Sequence, residues 1–470
     1  MMNHTMLAAA MLMGIGAAGA AEPAPSPAGQ WNVRDFGAKG DGQTDDTDAF
    51  QAALDAAGAA GAGTVTAPLG QYRFDGSLKV PANVTLAGSW VGLRYFPGEG
   101  VAETHRGKVG AGTRFLVYAG RGQSEDGTPF LSLTNNSVLQ GVVISYPEQT
   151  PDTEPTPYPW TVFGKGDGVS VIDVCLLRAY QGVKLQVAPC HLVRNLTGSP
   201  ILTGMWIDGI HDIGRVENVH FKSGAGATPE ARLWAARNSQ GFVIGTTDWQ
   251  YMTNTFCWGY GTGYHFIPGE GIGPNGNFLG IGADRAHVAV QIDAAKFQGI
   301  AITNGEFVVG PMGEVPGRSA RKQGIDGKAL VDQENSNPTH VVVSETNQGS
   351  VRFSNCTFWG GANHVARVAG KGWINFGDCA FRQWGGPEAA LPAFVADGGN
   401  LQVHDSQFNW NAPQFAIGPH ANGTLIVNNT YTGEWRGTAP DGANVQAANN
   451  LRADSFFPGP QKIGKAAEKN

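Results

Sequence analysis

The sequence has little charge, few cysteines and no long apolar run. Only 15% of its 470 residues are charged and 41% are hydrophobic, which predicts a folded protein rather than a disordered one. The formal net charge is −7. Because binding to nucleic-acid phosphates needs a basic face, no nucleic-acid partner is predicted.

Cysteine is too sparse to organise the fold. The five cysteines are Cys175, Cys190, Cys257, Cys356 and Cys379. An odd, scattered set excludes a disulfide framework, and the absence of a CxxC pair excludes the common zinc spacings. The thiols are therefore predicted to be buried, and no metal or cofactor is predicted.

The apolar run at the start of the chain is too short to cross a membrane, which takes roughly 20 residues. It extends from Met6 to Ala20 and is rich in Ala and Gly. Residues 1–20 are predicted to be a cleaved signal peptide, although Lys and Arg are missing before the run. Residues 21–30 would be a linker, and the mature protein would be secreted or periplasmic with no membrane span.

Glycine is abundant, and a repeat underlies the rest of the chain. The 68 glycines show no Gly-X-Y period, so they predict many turns rather than collagen. The stretches VIDVCL, VENVHF, ITNGEF, FSNCTF, FGDCAF and VHDSQF share an Asn or Asp that is usually followed three residues later by an aromatic residue. We call these Asn/Asp residues anchors; they are Asp173, Asn195, Asn218, Asn254, Asn304, Asn355, Asp378, Asp405 and Asn428.

The anchor spacing predicts a parallel β-helix. Successive anchors are 22, 23, 36, 50, 51, 23, 27 and 23 residues apart, and propeller blades would need about 40 to 50 residues. The two steps near 50 are either two coils or one coil with an insertion. Each coil would have one strand before a turn, a second strand ending at the anchor, and a third after it. The solenoid would cover residues 31–433, followed by a tail at 434–470. The phenylalanines three past their anchors would stack inside: Phe221, Phe307, Phe358, Phe381 and Phe408.

The N-terminal segment TDDTDAFQAALDAAGAAG is predicted to be a capping helix. A solenoid needs a cover over its open apolar end. Asp45 or Asp46 would cap the helix, while Ala49, Phe50 and Leu54 lie on its buried stripe. The aspartates here are interpreted as cap and turn formers.

The stretch DFGAKGDG at 35–42, followed by Thr44-Asp45-Asp46-Thr47, resembles the N-terminal signature of the pectate-lyase-like superfamily. The resemblance implies a right-handed parallel β-helix, a fold shared by polygalacturonases, exo-1,3-glucanases, lyases and phage tailspikes. The polygalacturonase series Asn-Thr-Asp, Asp-Asp, Gly-His-Gly and Arg-Ile-Lys does not occur in order, so ordinary pectin hydrolysis is not implied.

Three aspartates near the middle of the chain are the main catalytic candidates. Asp212 and Asp248 stand six residues before their anchors, and Asp208 stands ten before. Equivalent positions on adjacent coils are about 4.8 Å apart. Carboxylates at such spacing repel each other, which raises one pKa, and glycosidases need such a pair.

Aromatic and basic residues surround this group. Trp160, Trp206, Trp249 and Tyr251 are predicted to bind sugar rings, whereas the structural alternative places each tryptophan in the core. His211 and Arg215 flank Asp212 and would serve a lyase as base and charge neutraliser.

Two glutamates compete with the aspartates for a catalytic role. Glu306 lies two residues past its anchor and should point outward from a strand. Glu148 lies at the base of a proline-rich loop. The structural alternative for both is a solvated side chain.

The sequence therefore favours a secreted glycoside hydrolase that cleaves a polysaccharide or oligosaccharide with paired carboxylates. The first alternative is a polysaccharide lyase acting by β-elimination on a glycan that contains uronic acid. The second is a non-catalytic glycan-binding β-helix. The acidic character of the predicted aspartate group weighs against an anionic substrate.

Overall fold

The protein is described by a computed structural model over residues 29–90, 112–149, 154–224, 228–310 and 338–453. The predicted signal peptide, and all of the predicted linker except its last two residues, lie outside these ranges. Within them the backbone forms 38 β-strands, two α-helices and one 3-10 helix.

In the N-terminal part the elements are β1 (Gln30–Asn32), the 3-10 helix (Val33–Phe36), β2 (Asp41–Asp45), α1 (Thr47–Ala59), β3 (Gly63–Thr66), β4 (Gly70–Phe74), β5 (Leu78–Val80), β6 (Val84–Ala87), β7 (Thr113–Val117), β8 (Leu131–Leu133) and β9 (Val138–Ser145). In the central part they are β10 (Trp160–Gly164), β11 (Ser170–Leu177), β12 (Gln181–Gln186), β13 (Leu192–Gly198), β14 (Thr203–Asp208), β15 (Arg215–Lys222), α2 (Pro229–Asn238), β16 (Gln240–Ile244), β17 (Gln250–Trp258), β18 (Thr262–Phe266), β19 (Gly276–Leu279), β20 (Gly282–Ala286), β21 (Val288–Ile292), β22 (Ile300–Thr303) and β23 (Glu306–Val309). In the C-terminal part they are β24 (Thr339–Val343), β25 (Ser350–Ser354), β26 (Thr357–Trp359), β27 (His364–Val368), β28 (Trp373–Gly377), β29 (Ala380–Phe381), β30 (Phe394–Ala396), β31 (Asn400–His404), β32 (Gln407–Phe408), β33 (Phe415–Ile417), β34 (Gly423–Val427), β35 (Thr430–Tyr431), β36 (Gly437–Thr438), β37 (Val445–Ala448) and β38 (Leu451–Arg452).

The strands stack into three parallel columns, as expected for a right-handed parallel β-helix. Sheet 1 consists of thirteen strands, from β5 and β8 through β12, β14, β16, β18 and β21 to β36. The strands that end at the anchors form sheet 2, and those that follow the anchors form sheet 3. The long strands β9, β11, β13, β15 and β17 run through the anchor and join sheets 2 and 3.

Each predicted anchor bends the chain with a left-handed backbone. All nine have positive φ, between 52° and 59°. Among non-glycine residues, Asn and Asp tolerate this region best because their short polar side chains bond locally. The two strands on either side of an anchor can therefore belong to different sheets.

The anchors also bond to one another along the solenoid. The amide of Asn195 donates to Asp173 at 2.8 Å, and that of Asn218 donates to Asn195 at 3.0 Å. Further along, Asn355 donates to Asn304 at 2.8 Å. This ladder of side chains ties each coil to the next.

The irregular anchor spacings have separate causes. The 36-residue step contains α2, which is inserted between β15 and β16. The step from Asn254 to Asn304 is two coils, because Gly280 takes the anchor position with φ 62°. The step from Asn304 to Asn355 is a single coil, since β22 pairs directly with β25.

The core confirms most of the predicted interior. Phe307, Phe358, Phe381 and Phe408 are buried, and their rings contact in sequence at centroid distances of 5.0–5.7 Å. Phe221 is also buried, but it stacks on Phe242 of sheet 1 at 5.3 Å. Four of the five cysteines are buried free thiols.

Cys190 corrects the prediction that all the thiols are buried. It is exposed at a turn with φ 57°, and its Sγ lies 3.6 Å from a carboxylate oxygen of Asp212. A turn residue in a left-handed conformation points away from the core, which explains the exposure.

Helix α1 covers the first coils, as predicted. Phe50 and Leu54 are buried, and the Phe50 ring packs 4.9 Å from that of Tyr72. Asp46 precedes the helix, but its carboxylate accepts the N–H groups of Lys39 and Gly40 rather than one from the helix. Asp45 accepts the N–H of Thr47, the first residue of the helix, at 3.0 Å, so these aspartates bond to a turn and to the helix start, as interpreted from the sequence.

The solenoid continues past the predicted end at residue 433. Strands β36, β37 and β38 pair in parallel with β33, β34 and β35. Part of the predicted tail therefore belongs to the β-helix.

The ladder should make a measurable contribution to stability. Asn195→Ala is expected to lower the free energy of unfolding by about 1–2 kcal/mol, because alanine pays the left-handed backbone penalty and loses both amide contacts. Asn195→Gly should lose less, because glycine keeps the backbone conformation. Denaturant unfolding of both variants measures their free energies of unfolding. Equal decreases in the two variants would mean that the backbone conformation at this position is unimportant.

Candidate functional site

A strip of side chains that point away from the core runs along sheet 1; all of them are at least partly exposed except Val243, which is buried. Seven consecutive strands carry it at registered positions: Lys184, Trp206, Val243, His265, Gln291, Val342 and Arg367. We call these residues the sheet 1 strip. Six steps of about 4.8 Å give it a length of about 29 Å.

The alternation of a β-strand directs these side chains outward. On β12, Val183 and Leu185 are buried on either side of Lys184. On β18, Tyr264 and Phe266 are likewise buried on either side of His265. The apolar residues fix the register, and the residue between them has to face out.

His265 lies at the centre of the strip in a hydrogen-bonded network. Its Nε2 is 2.7 Å from Oδ2 of Asp293, and its Nδ1 is 3.0 Å from Oε1 of Gln240. The other oxygen of Asp293 accepts the amide of Gln291 at 2.7 Å. The side chains of His265 and Asp293 are 20% and 29% exposed, so the pair is shielded from water and still reachable.

The network holds Asp293 in its charged form. Burial alone would raise the pKa of Asp293, but the hydrogen bonds from His265 and Gln291 outweigh that effect and lower the pKa below its usual value. When the proton on Nε2 faces the carboxylate, Nδ1 carries the lone pair, and this nitrogen contacts the side-chain amide of Gln240. Histidine in this arrangement can move a proton to or from a bound molecule.

Cations mark both ends of the strip. The ammonium of Lys184 lies 5.8 Å from the Trp160 ring centroid and 5.7 Å from that of Trp206. Arg367 is exposed at the opposite end. Each cation is three strands from His265, about 14 Å.

The predicted acidic groove of three aspartates is not formed, because Asp208 is held away from solvent. It is 5% exposed at the end of β14. Its carboxylate accepts the backbone N–H groups of Gly209, Thr246 and Glu270 at 2.8–3.2 Å. A carboxylate with its oxygens so engaged stabilises the surrounding loops.

Asp212 and Asp248 lie on neighbouring exposed turns between sheets 1 and 2. Asp212 accepts the N–H of Ile213 at 2.8 Å, and Asp248 lies 3.6 Å from the ammonium of Lys296. Trp249 follows with 58% of its surface exposed. His211 is exposed on the turn that carries Asp212.

The other predicted residues lie on different faces. Arg215 and Tyr251 are paired neighbours on the outer face of sheet 2. Glu306 is exposed on sheet 3, where it accepts the indole N–H of Trp359 at 2.9 Å. Of the predicted site residues, only Trp160 and Trp206 contact the sheet 1 strip, and the catalytic roles assigned to the four acids stay predictions.

Comparisons with known proteins bear on the N-terminal segment and the fold. A family model described as rhamnogalacturonase A/epimerase, pectate lyase-like, matches residues 30–105. The N-terminal fragment of bacteriophage Phi29 gene product 12 aligns at 15% identity with a TM-score of 0.54, covering 90% of this chain and 70% of that one. The chain is a parallel β-helix whose N-terminal segment is similar to this pectate-lyase-like family.

Two curated relatives of the N-terminal segment come from Azotobacter vinelandii. Alginate lyase 7 is 54% identical over 70 residues, which is 13% of this chain and 8% of the relative. Mannuronan C5-epimerase AlgE3 is 52% identical over 69 residues, which is 13% of this chain and 4% of the relative. The match thus spans less than a tenth of either relative's length.

The sequence did not reveal the sheet 1 strip because the coil that contains its central strand has no Asn or Asp anchor. TGYHF, which carries His265, leads to Gly280 rather than to an Asn or Asp anchor, so the anchor search passed over that coil. Aligning the sheet 1 strands VKLQV, GMWID, GFVIG and VAVQI would have placed Lys184, Trp206 and Gln291 in one column.

Two features are absent from the described ranges. There, no three His, Cys, Asp or Glu side chains are grouped as ligands for a metal ion. In the same residues, no helix has the length and apolar character needed to cross a bilayer.

The role of Asp208 can be tested by comparing two substitutions. Asp208→Ala leaves three backbone N–H groups without their acceptor and should lower the free energy of unfolding by about 2 kcal/mol or more. Asp208→Asn keeps one acceptor oxygen and should cost less. Thermal melting of both variants shows which substitution destabilises the protein more. A fully stable Asp208→Asn without activity would instead support the catalytic prediction.

Proposed function

We propose that this β-helix is an enzyme that acts on a polysaccharide containing uronic acid, with the chain bound along the sheet 1 strip and His265 transferring a proton. The observation that carries the proposal is the His265–Asp293 pair midway between two cations on one sheet face. Relatives named alginate lyase and mannuronan epimerase favour the same substrate class.

The charge of the strip suits an anionic chain. Lys184 and Arg367 lie far enough apart to pair with carboxylates on different sugars of one extended polymer. Trp206, which is partly exposed beside Lys184, offers an apolar surface to a sugar ring, whereas Trp160 is buried and supports Lys184 from below. The objection based on the predicted aspartate group does not apply here, because those carboxylates lie outside the strip.

The proposed chemistry begins with removal of the proton next to the uronate carboxylate. His265 takes that proton at Nδ1 after the sugar displaces the Gln240 side chain from this nitrogen, and Asp293 stabilises the imidazolium that results. The electron pair of the broken C–H bond then forms a C4–C5 double bond, while the C4–O bond breaks and the leaving oxygen takes a proton from water. Return of a proton to the opposite face of C5 would instead give the epimer.

Hydrolysis, which the sequence favoured, stays the second candidate. It needs two carboxyl groups placed on either side of the glycosidic bond. On sheet 1, Asp208 and Asp293 both have their oxygens engaged, which favours elimination over hydrolysis at this face.

Products from a panel of uronate polymers separate the candidates. Elimination gives an unsaturated sugar that absorbs in the ultraviolet, hydrolysis gives reducing ends without that absorbance, and epimerisation changes the sugar composition without cleavage. No change in any polymer would favour a non-catalytic binding protein.

The roles of the strip residues are tested on the active substrate. His265→Gln should lower kcat at least about a hundredfold, the usual contribution of a positioned proton-transfer group. Lys184→Gln should mainly raise KM, because Lys184 binds a sugar away from the reacting one. The matched controls are His420→Gln and Lys39→Gln, both exposed and far along the chain from the strip. Near-normal turnover by His265→Gln would remove His265 from the mechanism.

A further inference from the structure

Sheet 3 has a groove on its outer face that the proposed reaction does not use. Its volume is about 470 Å³, in the usual range for a small-ligand site. The floor is the single coil that contains Gly280 and Gly282. The coil before it contributes Phe256, and a coil after it contributes Glu306, at the positions paired with Gly282.

The groove exists because both glycines lack a side chain. A Cβ on Gly282 would come within 3.0 Å of the Phe256 ring and 3.2 Å of the carbonyl oxygen of Glu306. A Cβ on Gly280 would lie 3.0 Å from Oδ1 of Asn254. Gly280 also interrupts the ladder of anchor side chains. The side chains of the neighbouring anchors, Asn254 and Asn304, therefore border the groove on either side of Gly280.

A carboxylate lies in the same groove, next to a β-bulge. Between the positions paired with Phe307 and Val309, strand β20 has one residue more than β23, and Arg285 takes φ 53° there. Asp284 precedes the extra residue and keeps the regular alternation, so it follows buried Ala283, faces outward and lines the groove. Burial raises the pKa of Asp284, and the charge of nearby Glu306 adds to that, against the lowering effect of Arg285.

Aromatic rings and oxygen acceptors line the opening together. Trp359 donates its indole N–H to Oε1 of Glu306 at 2.9 Å, which fixes the orientation of both groups, and 40% of Trp359 remains exposed. Phe256 packs edge-on against His220 at 5.0 Å. Among the described residues that line the groove, none is Lys or Arg.

We propose that this groove is a second carbohydrate-binding site, separate from the sheet 1 strip, and that it binds an uncharged saccharide. Trp359 and Phe256 present apolar ring surfaces to the C–H faces of a sugar. The carboxylates of Glu306 and Asp284 accept hydrogen bonds from sugar hydroxyls. An acidic sugar would be repelled by the same carboxylates, so the two faces of the solenoid select saccharides of different charge.

The test is titration of the full-length protein with neutral oligosaccharides of β-1,4-linked glucose, xylose or mannose, followed by calorimetry and NMR. Binding of at least one is expected. Trp359→Ala should weaken it about tenfold, because a stacking surface is lost. Trp373→Ala, a change at an exposed tryptophan on sheet 2, is the matched control and should leave the affinity unchanged.

Gly280→Asn separates loss of the groove from loss of the fold. Asparagine already occupies this position in neighbouring coils with the same left-handed φ, so the variant should melt at or above the normal temperature. Its side chain would fill the groove floor and abolish binding. The proposal is overturned if no neutral oligosaccharide binds, if glucosamine or uronate oligomers bind more tightly at this groove, or if binding survives Gly280→Asn.

Discussion

The left-handed turn at each anchor is the constraint on which the architecture depends. A residue with φ near 55° bends the chain without a long loop, so sheets 2 and 3 meet at an angle in each coil. Asn and Asp satisfy the backbone demand, and the amide of Asn also bonds to the anchor of the adjacent coil. One residue type therefore fixes both the shape of a coil and its register with its neighbours.

Registered coils turn a linear sequence into columns of side chains. Lys184 and His265 are 81 positions apart in the chain, yet they lie on the same column three strands from each other. The outer faces of sheets 1, 2 and 3 point in different directions. Residues that look clustered in the sequence, such as Asp208, Asp212 and Arg215, are therefore distributed over separate surfaces.

The fold could be predicted because its signals are periodic and local. The anchors, the buried phenylalanines and the stripe of α1 each follow from the needs of a single turn or helix. The site was harder to predict, since it depends on which coils are adjacent and on what covers each side chain. Asp208 looked free in the sequence, but the backbone N–H groups of Thr246 and Glu270, which arrive from later coils, surround its carboxylate. His265 belongs to a coil whose anchor is a glycine, so the repeat that revealed the fold concealed this residue.

Each coil contacts mainly the one before and the one after it, so cohesion varies along the axis. At the first coils, α1 buries Phe50 and Leu54, and the strands of the middle coils reach eight or nine residues. Strands β35, β36 and β38 have only two residues each. Unravelling should therefore start from the C-terminal coils and proceed stepwise, so that a protease could trim that end while the surfaces around His265 and Trp359 remain intact.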